Sequence, residues 1–493
     1  MGKQRYILAL DQGTTSTRAV IFNESGEAVA CAQREFAQIY PHAGWVEHDP
    51  REILSTALGV MAEAAAHVDP SSIAAMGITN QRETVVVWEK DGTPVYNAVV
   101  WQCRRTADAC RALIEGGYSE TIYKKTGLIP DAYFSATKIK WILDNVAGAR
   151  EKAKSGKLYA GTIDTYLLYC LSGGKIFATD YTNAARTMLF NIHEKKWDDE
   201  LLSLFDIPVG LLPQVYPSAH FFGVTQKRVL GRELPVCGVA GDQQAALYGQ
   251  GCVGEGQVKC TFGTGVFLLC NTGERAVRSS HGLLTTLAAA RNGAPFALEG
   301  SVFVGGAAVQ WLRDEMKLIH SAAESEEVAL SVKSSGGVYV VPSFVGLGAP
   351  YWDSGARGLI CGITRGTGRA HIVRATLESI AYQTADVLFA MQNDTGRALT
   401  RLRVDGGASA NNFLMQFLAD ITGAEIVRSR CVETTALGAA RLAAVASGEN
   451  VFTAGDDDRI DCVFAPNMKQ SEREEALCGW SSAVSRARSN TEK

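Results

Sequence analysis

Tyr6-Ile-Leu-Ala-Leu-Asp11-Gln-Gly-Thr-Thr15-Ser-Thr-Arg-Ala-Val-Ile-Phe22 is the stretch of sequence that decides the fold. Residues 6 to 10 are almost wholly apolar, as expected of a strand buried on both faces, and the run that ends at residue 22 forms a second strand. Between the two runs lie one carboxylate, one glycine and four hydroxyl side chains within seven residues. That composition predicts a tight turn between two antiparallel strands.

The turn carries groups that suit a phosphate chain. Tight turns of this kind point backbone N–H groups and hydroxyls outward, and such donors bind phosphate oxygens. Asp11, at the end of the first strand, is suited to hold magnesium directly or through water. For one such turn alone, an ordinary polar hairpin is an equally good interpretation.

A second copy of the pattern favours the phosphate interpretation. Val258-Lys-Cys-Thr-Phe-Gly263-Thr-Gly-Val-Phe-Leu-Leu-Cys270 repeats the order of strand, Gly/Thr turn and strand about half a chain later. Two phosphate turns at matching positions in two halves predict a nucleotide held between two related domains.

Composition bounds the class of protein. The chain has 493 residues, enough for two or more domains, and a net charge of −4, which argues against nucleic acid as a partner. The twelve cysteines include no CxxC pair and fit free thiols of a reducing compartment. No apolar run has the length of a membrane span, and a strand begins by residue 6, so we expect no signal peptide and a cytoplasmic location.

The remaining pattern predicts an α/β fold with a mixed sheet. Asp49-Pro50-Arg51-Glu52 has the form of a helix start, and it follows three predicted strands. The segment from Gly249 to Gly256 holds four glycines in eight residues and is the best domain boundary. We therefore predict an N-terminal domain over residues 1–249 and a C-terminal domain over residues 250–493.

Several residues at strand ends are candidates for ligand contacts. Arg82 and Glu83 follow an apolar run at 73–78; such a pair usually forms a solvated surface ion pair, but ligands also collect outside strand ends in α/β sheets. Trp101 is more often a core residue than a ligand contact. Asp242, between a strand and a helix, is either an N-cap or a catalytic carboxylate.

A Gly-Gly turn in the second half has a similar position. Asp405-Gly406-Gly407 lies between a predicted strand and a predicted helix, where the backbone can approach a flat ligand and the helix N-terminus favours phosphate. The sequence contains no GxxxxGK[ST] loop and no HExxH motif. If the protein uses ATP, it therefore binds it through the two turns rather than a Walker loop.

Together these motifs resemble the FGGY carbohydrate kinases, and within that family the enzymes that act on glycerol. The resemblance rests on residues 11–18, 80–83, 101–105, 241–244, 263–265 and 405–407, and on two longer signatures at 133–145 and 358–378. It extends over roughly residues 5 to 447. It implies two related domains of the actin/hexokinase/Hsp70 ATPase (ribonuclease H-like) type, with a mixed sheet in each and a cleft between them.

The resemblance also assigns site residues position by position. Glycerol would be bound by Arg82, Glu83, Tyr133, Asp242 and Gln243, between the apolar walls Trp101 and Phe267. The ATP phosphates would be bound by Thr14, Thr15, Ser16, Arg18, Thr264 and Gly306, and the adenosine end by Gln310, Gly407 and Asn411. Asp11 and Asp242 would flank hydrated Mg²⁺, and Asp242 would act as the catalytic base.

The implied reaction is the phosphorylation of glycerol by ATP to sn-glycerol 3-phosphate through direct in-line transfer, the first step of glycerol catabolism. A homodimer or homotetramer is expected, with glycerol and ATP as the small-molecule partners. Two alternatives stay open: a pentulose or gluconate kinase of the same family, and a non-catalytic ATP-driven interaction protein. The space between the aromatic walls Trp101 and Phe267, which suits a triol, disfavours a pentulose or gluconate kinase. In a non-catalytic protein, the polyol-binding residues would have no purpose.

Overall fold

The computed structural model describes residues 4–449 and 460–489. These residues form two compact units. The first unit contains residues 4–253 together with two later segments, 285–296 and 433–449, and the second contains residues 254–284, 297–432 and 460–489.

Secondary structure over the first 253 residues alternates short strands with helices. The elements are β1 Tyr6–Gln12, β2 Ser16–Phe22, β3 Ala28–Glu35, β4 Glu47–His48, α1 Pro50–Ala65, β5 Ile73–Asn80, β6 Val85–Glu89, β7 Ala98–Val99, α2 Ala107–Glu115, α3 Ser119–Thr126, α4 Ser135–Asn145, α5 Ala149–Lys154, β8 Leu158–Thr162, α6 Ile163–Ser172, β9 Ala178–Asp180, α7 Tyr181–Ala184, β10 Phe190–Asn191, β11 Lys196–Trp197, α8 Asp199–Phe205, β12 Gln214–Tyr216, β13 Ala219–Val224, α9 Lys227–Leu230, β14 Pro235–Gly241 and α10 Asp242–Gly249.

The rest of the chain follows the same style with longer helices. Its elements are β15 Val258–Phe262, β16 Val266–Gly273, β17 Leu284–Leu287, β18 Phe296–Val302, α11 Gly306–Asp314, α12 Glu324–Leu330, β19 Tyr339–Val341, β20 Leu359–Cys361, α13 Arg369–Thr395, β21 Arg401–Asp405, α14 Asn412–Thr422, β22 Glu425–Ser429, α15 Thr434–Ser447, β23 Ile460–Phe464 and α16 Gln470–Ala487.

The first unit is built on a six-stranded mixed sheet with the order β13-β14-β5-β1-β2-β3. The predicted opening hairpin is present: β1 pairs antiparallel with β2, with Asp11 opposite Arg18, and parallel with β5. Helix α1 begins as predicted, because the side chain of Asp49 accepts a hydrogen bond from the Arg51 N–H at 2.8 Å. Its Ile53 and Met61 are buried in the core on the sheet.

The second unit repeats this arrangement. Its sheet contains β18, β16, β15, β21, β22 and β23 in that order, and β15 pairs antiparallel with β16 and parallel with β21. Each unit therefore contains an antiparallel hairpin whose first strand also pairs with a parallel neighbour. In each unit the hairpin turn follows the carboxyl end of that first strand. The predicted fold class, an α/β structure with a mixed sheet in each of two related units, is confirmed.

Two segments from later in the chain pack with the first unit, and the domain boundary at residue 249 stays a prediction. Helix α15 belongs to the first unit, as do residues 285–296. The helix lies so close to the sheet that a Cβ on Gly77 would be 2.2 Å from the carbonyl oxygen of Ala439. Small residues at this contact allow helix and strand backbones to approach, and a sequence pattern gives no sign of which sheet such a helix will cover. Within the described residues, no helix is long and apolar enough to cross a membrane.

Candidate functional site

The turn between β1 and β2 is closed on itself and supported from behind. The N–H of Gly13 donates to the carbonyl of Ser16 at 2.9 Å. The carbonyls of Gly13 and Thr14 accept from the side-chain amides of Gln81 and Gln38, at 3.0 and 3.1 Å. In the part of the chain that the structure describes, the N–H groups of Thr14 and Thr15 donate to no acceptor. The turn therefore offers two backbone donors and keeps its carbonyls occupied, which suits an anion.

A buried histidine fixes one of these supports. His48 is fully buried, and its Nε2 lies 2.9 Å from the Oε1 of Gln38. Burial lowers the pKa of His48 to about 4, so the imidazole is neutral at physiological pH. A neutral ring donates one defined hydrogen bond, which holds Gln38 in the orientation that binds Thr14.

Ser16 and Arg18 lie at the start of β2, directly after the turn. The Arg18 guanidinium donates to Gln33 Oε1, at 3.2 Å from Nε and 2.8 Å from Nη2, and pairs with the carboxylate of Glu433. Gln33 also donates to the Ser16 hydroxyl at 2.9 Å. Glu433 directly precedes α15, so the helix that joins the first unit late in the sequence supplies the anion partner of Arg18.

Asp11 stands in a field of other charges. The pKa of Asp11 is raised to about 7 by burial; nearby Arg18 opposes the shift, and the carboxylates of Asp242 and Glu433 add to it. Asp11 and Asp242 are thus electrostatic neighbours within the first unit. A cation near them would reduce the repulsion between these carboxylates, which Arg18 offsets only in part.

Apart from Phe267, which belongs to the second unit, the residues predicted to bind the polyol form one connected cluster in the first unit. Arg82 and Glu83 are both buried rather than on the surface, so the solvated-pair interpretation is wrong. The Nε of Arg82 lies 3.2 Å from Asp242 Oδ1 and 3.9 Å from Glu83 Oε1, and its Nη2 lies 3.5 Å from the Tyr133 hydroxyl. A further bond of 3.2 Å joins Arg82 to Gln244. Two carboxylates and a phenol are therefore held around one guanidinium.

Asp242 differs from the rest of the cluster in its exposure. It is the first residue of α10, with Gly241 in the N-cap position, and its side chain is 31% exposed. Its Oδ2 accepts from the side-chain amide of Gln243 at 3.2 Å. Of the two interpretations of Asp242, the structure excludes the N-cap and leaves a carboxylate that a ligand can reach.

Trp101 connects the cluster to the phosphate turn. Its indole Nε1 donates to the Thr14 hydroxyl at 3.0 Å, and its backbone N–H donates to Thr84 Oγ1 at 3.2 Å. The indole also meets the Tyr133 ring edge-on, with ring centroids 5.5 Å apart. The turn and the polyol cluster are therefore adjacent parts of one site within the first unit.

Glu83 has partners that sequence reasoning missed. The Nε of Arg186 lies 2.6 Å from Glu83 Oε1, and both side chains are buried. The Glu83 carbonyl accepts from Ser135 Oγ at 3.2 Å and from Lys138 Nζ at 3.3 Å. Burial lowers the pKa of Lys138 to about 8, and its Nζ also donates to the carbonyl of Phe134 at 3.1 Å, so Lys138 acts as a structural residue that holds backbone carbonyls.

The second hairpin is fixed against the start of α11. The carbonyl of Thr264 accepts from the N–H groups of Gly305 and Ala307, at 2.8 and 3.1 Å, and the N–H of Gly306 donates to Gly263 at 2.9 Å. A Cβ on Gly306 would lie 2.7 Å from the Gly263 oxygen, so the contact requires glycine. The Gly/Thr turn and the helix N-terminus thus form one rigid element of the second unit.

The other predicted residues of the second unit surround this element. Gln310 is exposed on α11, one helical turn after Gly306. Gly407 is exposed where the turn after β21 begins, and Asn411 caps α14 by accepting from the Leu414 N–H at 2.9 Å. Phe267 is half-buried on β16, opposite Thr261. The structure therefore places all predicted residues of this unit at one end of its sheet or on the helices that begin there.

Comparison with known proteins identifies the family. The model of the FGGY family of carbohydrate kinases matches the chain with its N-terminal domain over residues 6–249 and its C-terminal domain over residues 258–447. A glycerol kinase of Symbiobacterium thermophilum is 59% identical over 489 residues, and one of Petrotoga mobilis is 58% identical over 494 residues; each alignment covers 98% of this chain and at least 98% of the relative.

Solved structures agree with the sequence relatives. The crystal structure of Plasmodium falciparum glycerol kinase with ADP superposes with a TM-score of 0.92 at 37% identity, covering 99% of both chains. A ligand-bound xylulose kinase from Lactobacillus acidophilus shares the fold, with a TM-score of 0.88 at 23% identity over 98% of this chain and 99% of that one. The chain therefore belongs to the FGGY family of carbohydrate kinases.

Proposed function

We propose that this protein is an ATP-dependent kinase that converts glycerol to sn-glycerol 3-phosphate. The observation that carries the proposal is the hydrogen bond between Trp101 and Thr14, which joins the cluster of polar groups around Arg82 to a turn whose Thr14 and Thr15 N–H groups donate to no acceptor among the described residues. The sequence relatives of nearly 60% identity, named as glycerol kinases, support the same substrate.

Glycerol suits the chemistry of the cluster. A triol needs fixed donors and acceptors for its hydroxyls, which the Arg82 guanidinium and the Glu83 and Asp242 carboxylates supply, with Tyr133 and Gln243 at the edge. The Trp101 indole covers the C–H face, and Phe267 is proposed as the second apolar wall. A site that hydrogen-bonds every hydroxyl discriminates strongly against analogues that lack one, because its buried polar groups would be left unpaired.

The reaction is a direct transfer. Asp242 takes the proton from the 3-hydroxyl of glycerol, the freed oxygen attacks the γ-phosphorus of ATP, and ADP leaves. Its position at the start of α10 and its exposure let Asp242 reach a hydroxyl while Arg82 orients it. General-base catalysis of this kind contributes about 10²–10⁴ in rate. The product forms without a phospho-enzyme.

The ATP-binding residues are proposed from both phosphate turns. Thr14, Thr15, Ser16 and Arg18 of the first turn, and Thr264 and Gly306 of the second, would contact phosphates. Gln310, Gly407 and Asn411 would contact the adenosine end. Two observations support this assignment: the N–H groups of residues 14 and 15 donate to no acceptor among the described residues, and Thr264, Gln310 and Gly407 are exposed.

Magnesium fits the charges at Asp11 and Asp242. Mg²⁺ binds proteins through one or two carboxylates while keeping several waters. A bound cation would stabilise the ionised form of Asp11, which burial and the neighbouring carboxylates disfavour. The described residues contain no cluster of three or more metal-binding side chains, which agrees with an ion held mainly by water and phosphate. Bound there, Mg²⁺ would neutralise charge on the transferred phosphoryl group.

Location and assembly stay predictions. All twelve cysteines are free thiols, which supports a reducing compartment such as the cytoplasm. A homodimer or homotetramer is expected from the family resemblance, and sedimentation of the purified protein would test it.

A coupled assay of ADP release tests the proposed function directly. Glycerol, dihydroxyacetone, xylulose and gluconate are compared as substrates, and ³¹P NMR identifies the phosphorylated product. We expect glycerol to give the highest kcat/KM, and propane-1,2-diol, which lacks one hydroxyl, to be poorer by up to ~10⁴-fold. A preference for xylulose or gluconate would assign the chain to another sugar kinase of the family. ATP hydrolysis unaffected by any polyol would favour a non-catalytic ATP-driven protein.

A further inference from the structure

Arg186 stands out among buried charged groups because no role in the reaction has been assigned to it. Its side chain is fully buried, and its Nε lies 2.6 Å from Glu83 Oε1. Its guanidinium also faces two aromatic rings, at 5.6 Å from the centroid of Tyr133 and 5.1 Å from that of Phe134. One cation thus contacts both Glu83 and Tyr133, two of the residues proposed to bind glycerol.

The backbone around Arg186 is held in place by neighbouring elements. Its N–H donates to Asn183 at 3.0 Å in the turn that ends α7, and the Asn183 side-chain amide donates to Asn80 Oδ1 at 3.1 Å. The carbonyl of the next residue, Thr187, accepts from the Ala136 N–H at 2.8 Å, which ties the turn to α4. The guanidinium is therefore presented from a rigid position, as a geometric support requires.

Glu83 needs such support. Its backbone φ of 62° lies in the left-handed region, which is uncommon for a residue with a side chain. Its carbonyl is held by Ser135 and Lys138, and its carboxylate is held by Arg186. A buried carboxylate is costly without an opposite charge and hydrogen bonds, so the orientation and charge of Glu83 depend on this partner.

We propose that Arg186 is a positioning residue for the polyol. It compensates the buried charge of Glu83 and aims that carboxylate at the substrate hydroxyl, while its contact with Tyr133 fixes the adjoining wall. Arg186 acts through these two residues and does not itself touch the substrate. The inference rests on the proposed function, because it assumes that Glu83 accepts a hydrogen bond from glycerol.

The chain offers a closely matched control. Arg374, in the second unit, also pairs a guanidinium with a carboxylate, Glu378 at 2.8 Å, and also lies over an aromatic ring, that of Phe413 at 4.8 Å. Substitution of Arg374 removes the same kinds of contact from a helix that carries none of the proposed polyol residues. A general loss of packing would affect both arginine variants alike.

The test compares Arg186→Met, Arg186→Lys and Arg374→Met by steady-state kinetics, with the melting temperature as a measure of folding. We expect Arg186→Met to raise the KM for glycerol on the order of 10²-fold while changing the KM for ATP less than about twofold. Arg186→Lys, which keeps the charge but loses the planar fork, should fall between it and the wild type. Arg374→Met should leave both KM values within about twofold of the wild type.

A double-mutant cycle separates positioning from packing. If Arg186 acts through Glu83, then adding Arg186→Met to Glu83→Gln should raise the glycerol KM much less than it does alone. Independent, additive effects, or an unchanged glycerol KM in Arg186→Lys and Arg186→Met, would overturn the inference. If Arg186→Met fails to fold, Arg186→Lys alone decides the outcome. A raised KM for glycerol with a nearly unchanged KM for ATP supports the inference, and an unchanged KM for glycerol overturns it. A wild-type protein that does not phosphorylate glycerol would instead contradict the proposed function.

Discussion

The indole N–H of Trp101 donates to the hydroxyl of Thr14 at 3.0 Å. Trp101 also packs edge-on against Tyr133, so a single side chain contacts both the phosphate turn and the polyol cluster. Changes at this residue are therefore expected to affect two substrates by two separable routes, one through the ring and one through the hydrogen bond.

Two substitutions of Trp101 separate these routes. Trp101→Ala removes the apolar wall, and we expect the KM for glycerol to rise about 10- to 100-fold, the effect of losing a large buried contact. Trp101→Phe keeps a ring but loses the hydrogen-bond donor to Thr14. We expect the KM for ATP to rise roughly fivefold while the KM for glycerol stays nearly normal. Initial-rate kinetics with each substrate varied in turn measure both. An unchanged glycerol KM in Trp101→Ala would show that the indole is only a core residue.

Asp242→Asn tests the proposed base. The amide has the same size as the carboxylate and still accepts from Arg82, so we expect normal folding and ATP binding. Because an amide cannot take up the proton, kcat should fall about 10²–10⁴-fold. Calorimetric titration measures the affinity for ATP, and single-turnover kinetics measure the rate of phosphoryl transfer. Near-normal turnover would remove Asp242 from the role of base.

Asp11 is expected to make stability depend on pH. Its pKa in the folded protein is raised to about 7, above its ordinary value of 3.8, so the folded state holds the proton more tightly than the unfolded state. The ionised form is thus unfavourable in the fold, and stability falls as the pH rises from about 4 to about 7. Without metal or nucleotide, Asp11→Asn should therefore raise the melting temperature more at pH 8 than at pH 5.

The same variant should lose activity that depends on magnesium. Its melting temperature, followed by calorimetry at both pH values, is compared with that of Asp49→Asn, which changes a half-buried helix cap instead. Equal shifts at pH 5 and pH 8 in Asp11→Asn would show that the carboxylate is not perturbed by its surroundings.

Two glycines of the second unit separate structure from binding. A Cβ on Gly306 would lie 2.7 Å from the Gly263 oxygen, whereas a Cβ on Gly407 would meet no heavy atom within 4 Å among the described residues. We expect Gly306→Ala to lower the melting temperature and to raise the KM for ATP. Gly407→Ala should leave the melting temperature unchanged and raise only the KM for ATP. A normal KM for ATP in Gly407→Ala would remove this residue from the adenosine site.

Much of this architecture could be predicted because its signals are local. The two hairpins and the helix start at Asp49 follow from apolar runs, turn residues and caps within short windows. The pattern around Asp242, between a strand and a helix, is equally local, and in the structure Asp242 is the first residue of α10.

The missed features depend on contacts between distant segments. Arg186 lies 103 positions after Glu83 in the sequence, in a segment whose neighbours are mostly small or apolar, and nothing nearby signals that its partner is a buried carboxylate. The one available sign was a single charge in a run otherwise suited to the core, from Ala184 to Phe190. Glu433, the partner of Arg18, was missed for the same reason, because its helix returns to the first unit.

The placement of α15 has a consequence for how the protein is made. During synthesis, the chain up to residue 447 must leave the ribosome before residues 434–447 can cover the strands around Gly77. Until then the nascent first unit exposes apolar surface that a holdase chaperone would recognise and that other nascent chains could bind. Premature stop codons before residue 434 are therefore expected to yield aggregating products rather than a stable N-terminal fragment.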